Sequence, residues 1–457
     1  MKNIIKTLGK LLLVILSLFL GSCDRFVEVE LPDSQLTSVA VFDDMTTSTA
    51  AMVGIYAKMR NGGMFSGNSG ISYYLGLYAD EFGYYQLSPT NNFNKNTLIA
   101  AEGGVLDIWS QTYNQIYTAN AVLEGTSSSA TLPTAGRKQF RGECLFVRAL
   151  LHFQLLNIFG DIPYVTTTDY SKNSTVKRMP ENEVYGLILS DLKEASELLP
   201  DAYITSERVR PNRSVALAVL ARVYLYKKQY AEALAAASAV INNPLYVWET
   251  NLNKVFLKGS TTTIWQFMPN SNTTITKEAD LYIFSARPSL IALTPEFVNA
   301  FENGDQRKSR WIGSVTIGAD TWYYAYKYKQ RAATSNTPEY SIVLRLAEQY
   351  LIRAEAKLMQ GDLNGAKADL NQIRQTAGLS NTSAVTSEEI FTEILKQRRF
   401  EFFTEFGQRF FDLKRTGRLD AELSAKKSGW NSNDLLWPIP EKEILINPNL
   451  SPQNLGY

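Results

Sequence analysis

The chain is poor in the residues from which most enzyme centres are built. In 457 residues it holds one histidine, His152, and two cysteines, Cys23 and Cys144. Such a set cannot supply the ligand clusters of a zinc or iron site, so no metal or cofactor is expected. A Ser-His-Asp triad would have to recruit His152 from the middle of an apolar helical run. H-E-x-x-H, the P-loop, G-x-S-x-G and G-x-G-x-x-G are all missing. A paired-carboxylate glycosidase needs only two acids at a set distance and stays open on motif grounds. The regular alternation of strands and helices that builds a barrel is absent, however. No charge of one sign dominates either: 46 basic residues face 45 acidic ones, which leaves no field for nucleic acid or another polyanion. Two cysteines make no disulfide framework. Cys144 and His152 both read as core residues of a helix.

Long apolar runs are scarce, and the one at Leu11–Leu20 is informative. Lys2, Lys6 and Lys10 precede it and Gly21-Ser22-Cys23 follow it, which is a secretory signal layout too short to span a bilayer comfortably. Leu20-Gly21-Ser22-Cys23 looks like a bacterial lipobox, whose cysteine thiol takes a diacylglycerol. Residues 1–22 are therefore expected to be a lipoprotein signal peptide, Cys23 the lipidated residue, and 23–38 a polar tether. Residues 39–457 are expected to be one domain. Three of the 46 basic residues fall in 1–22 with no acid beside them, so a chain trimmed there carries 43 bases against 45 acids.

What the sequence has in abundance is helical patterning. In Leu344–Gly378, Leu344, Ala347, Leu351, Ala354 and Leu358 recur at three and four residues. Gly361-Asp362 then breaks the run, with Asp362 placed to cap the next helix. Leu363, Ala366, Leu370 and Ile373 form a second stripe, closed by Gly378. This is a helical hairpin with alanines at the crossing. Ser214–Asn243 repeats it: Ala221 and Ala233 are spaced like Ala354 and Ala366, and Tyr230–Leu234 sits where a tetratricopeptide pattern has its second helix. Further helices are expected at Val41–Met59, Ile108–Leu123, Arg137–Phe159, Pro180–Leu199 and Ser387–Phe406. In the last, Arg398, Arg399, Glu401 and Glu405 are placed for helical ion pairs or for bracing the scaffold. Asn61–Asn96 is rich in Gly, Ser, Asn and Tyr and reads as a long polar binding loop. Residues 245–338 are irregular, with a short strand expected at Thr261–Phe267, a helix at Pro295–Phe301 and a strand or edge ribbon at Trp322–Lys329.

Several stretches together resemble the SusD/RagB family, the nutrient-binding surface lipoproteins of Bacteroidetes. They are RGECLFVRALLHFQLLNIFGDIPYV with its FGDIP turn, ALAVLARVYLY followed by YAEALAAA, Gly304-Asp305-Gln306-Arg307, QRFFDLKRT, and the C-terminal LWPIP and NPNL. The resemblance covers essentially the whole mature chain. It implies a mostly α fold, a tetratricopeptide-like scaffold from 39–243 and 339–457 with a variable capping and ligand-binding region at about 245–338 containing a little β. It also implies a non-enzymatic receptor in the outer membrane, facing the cell surface, that captures a glycan and delivers it to a SusC-like TonB-dependent transporter. A receptor for peptides or another nutrient, a surface glycoside hydrolase and a protein-binding adaptor are the alternatives.

A glycan presents hydroxyl edges and flat C–H faces, so its site needs aromatic rings beside carboxylates and amides. Two stretches have that composition. Tyr84, Tyr85, Asn91 and Asn92, with Asp80 nearby, lie in the first loop; Tyr282, Trp311, Trp322 and Tyr323 lie in the variable region. On the predicted strand, Trp322 and Tyr324 share one face and Tyr323 takes the other, so only one of these faces can serve a ligand. Trp265, with strand-like apolar neighbours, is expected to be buried.

Overall fold

Asp44 starts the first described helix, α1 (Met45–Asn61), by accepting hydrogen bonds from the Thr46 and Thr47 amides. The computed structural model describes residues 41–86 and 91–457. The readings of residues 1–38, including lipidation of Cys23, concern chain outside those residues.

The polar loop expected after α1 is corrected. Ile71–Tyr78 is a helix, α2, and Phe82–Tyr84 a strand, β1. The sequence ISYYLGLY is apolar on all sides, so it is drawn into the core, with Tyr73, Leu75, Leu77 and Tyr78 buried. Gly76 lets the Phe82 ring lie against α2; a Cβ there would stand 2.6 Å from that ring.

Three long helices follow: α3 (Gly103–Ser128), α4 (Thr134–Phe159) and α5 (Glu181–Leu198). α4 is buried at every position from Gly142 to Phe159, so it is a central core helix rather than an amphipathic one. It is long and apolar enough to cross a membrane, yet its apolar stretch is buried inside the fold. Its polar residues are matched internally. Arg148 forms a bidentate pair with Asp191 of α5, and Glu143 receives Arg210 and, at 2.6 Å, the Tyr56 hydroxyl. Gly160, at φ +73°, ends α4 in a conformation that a side chain would resist.

The two hairpins form as the spacing predicts. α6 (Arg213–Tyr226) pairs with α7 (Tyr230–Ile241), and α8 (Leu346–Met359) with α9 (Leu363–Thr376). Ala221, Ala233, Ala354 and Ala366 are fully buried, which lets the helices approach closely. Asp362 caps α9 through the Gly365 amide, and Gly378 closes it at φ +77°. α7 also packs on α8, so the two hairpins are neighbours in one array despite the residues between them. Leu344 is a correction: it belongs to a strand, Ser341–Arg345, and not to the stripe of α8. That strand runs antiparallel to Thr263–Phe267, whose five residues are all buried, Trp265 among them.

The intervening residues also build a second, four-stranded sheet. β1 is joined by β2 (Ile291–Leu293), β3 (Ile312–Ile317) and β4 (Asp320–Ala325), in the spatial order β1-β2-β4-β3. Two longer helices run toward the C-terminus, α10 (Ser387–Glu401) and α11 (Gln408–Arg415), and the LWPIP stretch crosses the core as extended chain with Trp437 fully buried. Helix makes up 52% and strand 7% of the structure, which bears out the mostly α expectation.

Arg398, Arg399 and Glu401 of α10, and Glu405 in the turn after it, brace the scaffold instead of pairing with one another along the helix. Arg398 reaches Asp412, Arg399 reaches Asp80, and Glu401 receives Arg307 and Arg345. Glu405 lies beyond the end of α10 and holds Lys327 and Arg345.

Candidate ligand-binding site

The four-stranded sheet brings together the two aromatic stretches that the chain separates by some two hundred residues. Phe82 pairs with Leu293 and Leu293 with Tyr323, so first-loop and variable-region residues stand in one row of side chains. Alternation along the strands then sorts the candidates onto two faces. Phe82, Tyr84, Ile291, Leu293, Tyr323 and Ala325 turn toward the hydrophobic core. Gly83, Tyr85, Ala292, Trp322, Tyr324 and Gly313 turn outward.

The outward face carries rings set against glycines. Gly313 is paired with Tyr324, and a Cβ at Gly313 would stand 2.3 Å from the Tyr324 ring. A Cβ at Gly83 would meet the Tyr85 ring at 3.4 Å. The Tyr324 ring lies low against the sheet only because Gly313 has no side chain, whereas the Tyr85 ring stands at ordinary contact distance from the Gly83 position. Tyr324 makes edge contacts with Phe284 at 5.1 Å and Tyr326 at 5.7 Å, and the Arg287 guanidinium lies 5.3 Å from the centre of the Trp322 ring. Tyr85, Tyr324, Tyr326 and Phe284 are partly exposed, whereas Trp322 is 8% exposed under its arginine. Burial raises the pKa of the Tyr85 and Tyr324 phenols, so both stay neutral hydrogen-bonding groups.

The remaining candidates are engaged within the protein, and three of these expectations need correction. Trp311 is fully buried. Its indole N–H donates to the Leu252 carbonyl at 2.9 Å, and Phe256 meets its ring edge-on at 5.4 Å. Tyr282 is buried against Phe82, with ring centres 5.4 Å apart and nearly parallel planes. Asp80 is buried under Arg399, Arg409 and Lys426. Burial opposes its ionisation, but Arg409 and Arg399 overcome this and hold the carboxyl well below the usual range. It is spent on cations and not offered to hydroxyls. Asn91 caps the short turn of helix at Asn92–Lys95, and Asn92 donates to Glu102 at 2.8 Å. Tyr84 donates its hydroxyl to Gln86 at 3.0 Å and packs partly on the core, as does Tyr323. The run WYYAYKYK also leaves the sheet after Ala325, because the Lys327 ammonium turns inward onto the Glu401 and Phe403 carbonyls.

Sequence reasoning thus missed Tyr324, Tyr326, Phe284 and Arg287 as members of the outer face. The alternation of WYYAYKYK does place Tyr324 beside Trp322, but nothing local marks Gly83 and Gly313 as contacts of rings. Among the described residues the face offers flat apolar rings, phenol hydroxyls and one guanidinium. His152, the sole histidine, is buried in α4. It bonds the Arg148 carbonyl through Nδ1 and the Val165 amide through Nε2, and burial lowers its pKa to about 3. Among the described residues no group of three or more His, Cys, Asp or Glu side chains is placed to hold a metal.

Comparison with known proteins agrees along the chain. Residues 26–225 match the family described as "Starch-binding associating with outer membrane", and residues 294–457 match the one described as "SusD family". A SusD-like protein of Formosa agariphila is 26% identical over 98% of this chain and 99% of its own. Among solved structures, a SusD superfamily protein of Bacteroides vulgatus is 24% identical with a TM-score of 0.79, covering 91% of this chain and 100% of that one. A laminarin-binding SusD-like protein is 25% identical with a TM-score of 0.76, over 90% and 99%.

Proposed function

The chain belongs to the SusD family, and on that premise we propose that it is a lipid-anchored receptor at the cell surface. In this reading it captures a glycan on the outward face of its four-stranded sheet and delivers it to a SusC-like TonB-dependent transporter in the outer membrane. Proteins of this family bind glycans without catalysis, so the chain is a binding protein and not an enzyme.

The observation that carries the reading is the low-lying ring of Tyr324 over Gly313, on one sheet face with Tyr85 and beside Trp322 and Tyr326. A shallow aromatic platform stacks on the C–H faces of sugars and releases them readily, as handing cargo to a transporter requires. The starch-binding family matched by residues 26–225 and the laminarin-binding protein of similar structure support a glycan over a peptide. Cys23 and the signal layout before it support a lipid anchor.

The test is a binding screen of the full chain in mild detergent against polysaccharides and peptides side by side, with the host membrane extracted in parallel. Binding to a polysaccharide and co-purification with a large TonB-dependent barrel are expected. Peptides as the sole ligands, or recovery only as a free monomer at several detergent strengths, would overturn the reading.

A further inference from the structure

Beside the aromatic face, at the β1 edge of the sheet, lies a cleft of about 770 Å³ that is unlike the face in chemistry. Lys95, Arg399, Lys426 and Lys427 line it against only two acids, Asp80 and Glu296. Asp80 is already shared by Arg399, Lys426 and the underlying Arg409, and Glu422 behind it pairs with Arg409 at 2.9 Å and with Lys426 at 3.2 Å, which leaves Lys95, Arg399 and Lys427 as the cations without a full carboxylate partner of their own. Lys427 donates to the Leu77 carbonyl at 2.7 Å and to the Asn94 carbonyl at 3.2 Å, dipoles that satisfy its hydrogens without neutralising its charge. The Nε of Arg399 is buried with no hydrogen-bond partner. Burial lowers the pKa of Lys427 to about 8 and, with the neighbouring Arg409 adding like charge, also depresses that of Arg399. The cleft and the platform are contiguous, because Gly83 lies against the Tyr85 ring and also lines the cleft.

We infer that the ligand is an acidic glycan whose carboxylate or sulfate group seats in this cationic cleft while a neighbouring sugar ring stacks on the aromatic face. The inference rests on the glycan-receptor reading and narrows it to anionic saccharides. Carboxylate and sulfate share the needed chemistry: a compact anion that accepts hydrogen bonds from ammonium and guanidinium groups.

Calorimetry on the full chain in mild detergent tests this with three probes: a neutral β-glucan oligosaccharide, an oligogalacturonate and a sulfated galactan oligosaccharide. At least one acidic probe should bind tenfold or more tightly than the neutral one in low salt and lose most of that advantage in 0.3 M salt. The two acidic arms separate carboxylate from sulfate. Lys95→Glu combined with Ala425→Glu puts negative charge on two exposed lining positions and should weaken acidic binding at least tenfold, with an unchanged melting temperature. A neutral probe that binds as well as the acidic ones, or acidic binding indifferent to the charge reversal, overturns the inference. If Tyr324→Ala still weakens neutral binding in that case, the receptor reading stands alone. Failure of every probe overturns both.

Discussion

Trp311 and Tyr324 come from the same variable stretch, yet their surroundings demand opposite responses to truncation. The Trp311 indole is fully buried, bonded to the Leu252 carbonyl, edged by Phe256 and approached to 5.2 Å by the Lys327 ammonium. Trp311→Ala removes a large apolar volume, leaves a cavity and strands a carbonyl, which together cost about 3–5 kcal/mol. Unfolding entropy of about 2.1 cal/mol/K per residue amounts to about 0.9 kcal/mol/K for the chain from residue 42 onward, so Tm should fall by about 3–6 °C. Tyr324 is half-buried, with edge contacts to Phe284 and Tyr326 only partly shielded from water. Losing those contacts costs about 0.5–1.5 kcal/mol, or a shift of about 2 °C at most. Its loss from a stacking platform should weaken ligand binding by about 1–3 kcal/mol, roughly fivefold to more than a hundredfold. Differential scanning calorimetry and titration with the glycan found in the screen read both quantities. Trp311→Ala with a wild-type Tm, or Tyr324→Ala with wild-type affinity and a collapsed Tm, would show that core and platform have been interchanged.

Other variants probe the scaffold and the anchor. Arg222 of α6 and Glu348 of α8 form a bidentate buried pair at 2.6 Å that ties the hairpins together; Glu348→Ala strands the guanidinium and should cost about 3–5 kcal/mol, read as a drop in the urea midpoint. An unchanged midpoint would mean the pair does not clamp the array. His152 donates from Nδ1 to a carbonyl and accepts at Nε2 from an amide, so only the neutral ring fits its site. Its folded pKa of about 3 lies below the ordinary 6.5, so the unfolded chain binds the proton more readily. Stability from this group is complete above pH 6.5 and falls by about 1.4 kcal/mol per pH unit as acid is added, down to about pH 3. Because it is the only histidine, one isotope-labelled resonance reports it, and a titration near pH 6.5 would sink the argument. Cys23→Ala should abolish incorporation of an alkyne fatty acid; label retained in the variant would place the lipid elsewhere.

The sequence by itself determined the helices, because a helix is a local object whose apolar stripe, cap and stop lie within a few turns of one another. Ala354, Asp362, Ala366 and Gly378 marked one hairpin completely, and His152 and Trp265 were legible as core residues from their neighbours. Local reading failed where an apolar run had no polar face to orient it. The polar neighbours of Ile71–Tyr78 suggest a loop where the chain forms a helix, and the spacing of Leu344 suggests a helix where its partner Trp265 draws it into a strand. The site depended on tertiary structure almost entirely. Composition could nominate Tyr85 and Trp322, but it nominated Trp311, Tyr282 and Asp80 equally, since a residue's type does not say which side of a sheet it will occupy. Pairing β1 with β2 and β2 with β4 made that decision, sending Tyr84 and Tyr323 to the core side and Tyr85, Trp322 and Tyr324 to the outer one. The glycines that meet the rings and the cations around Asp80 come from distant parts of the chain. No local pattern announces such a meeting, because it is fixed by the packing of the whole scaffold.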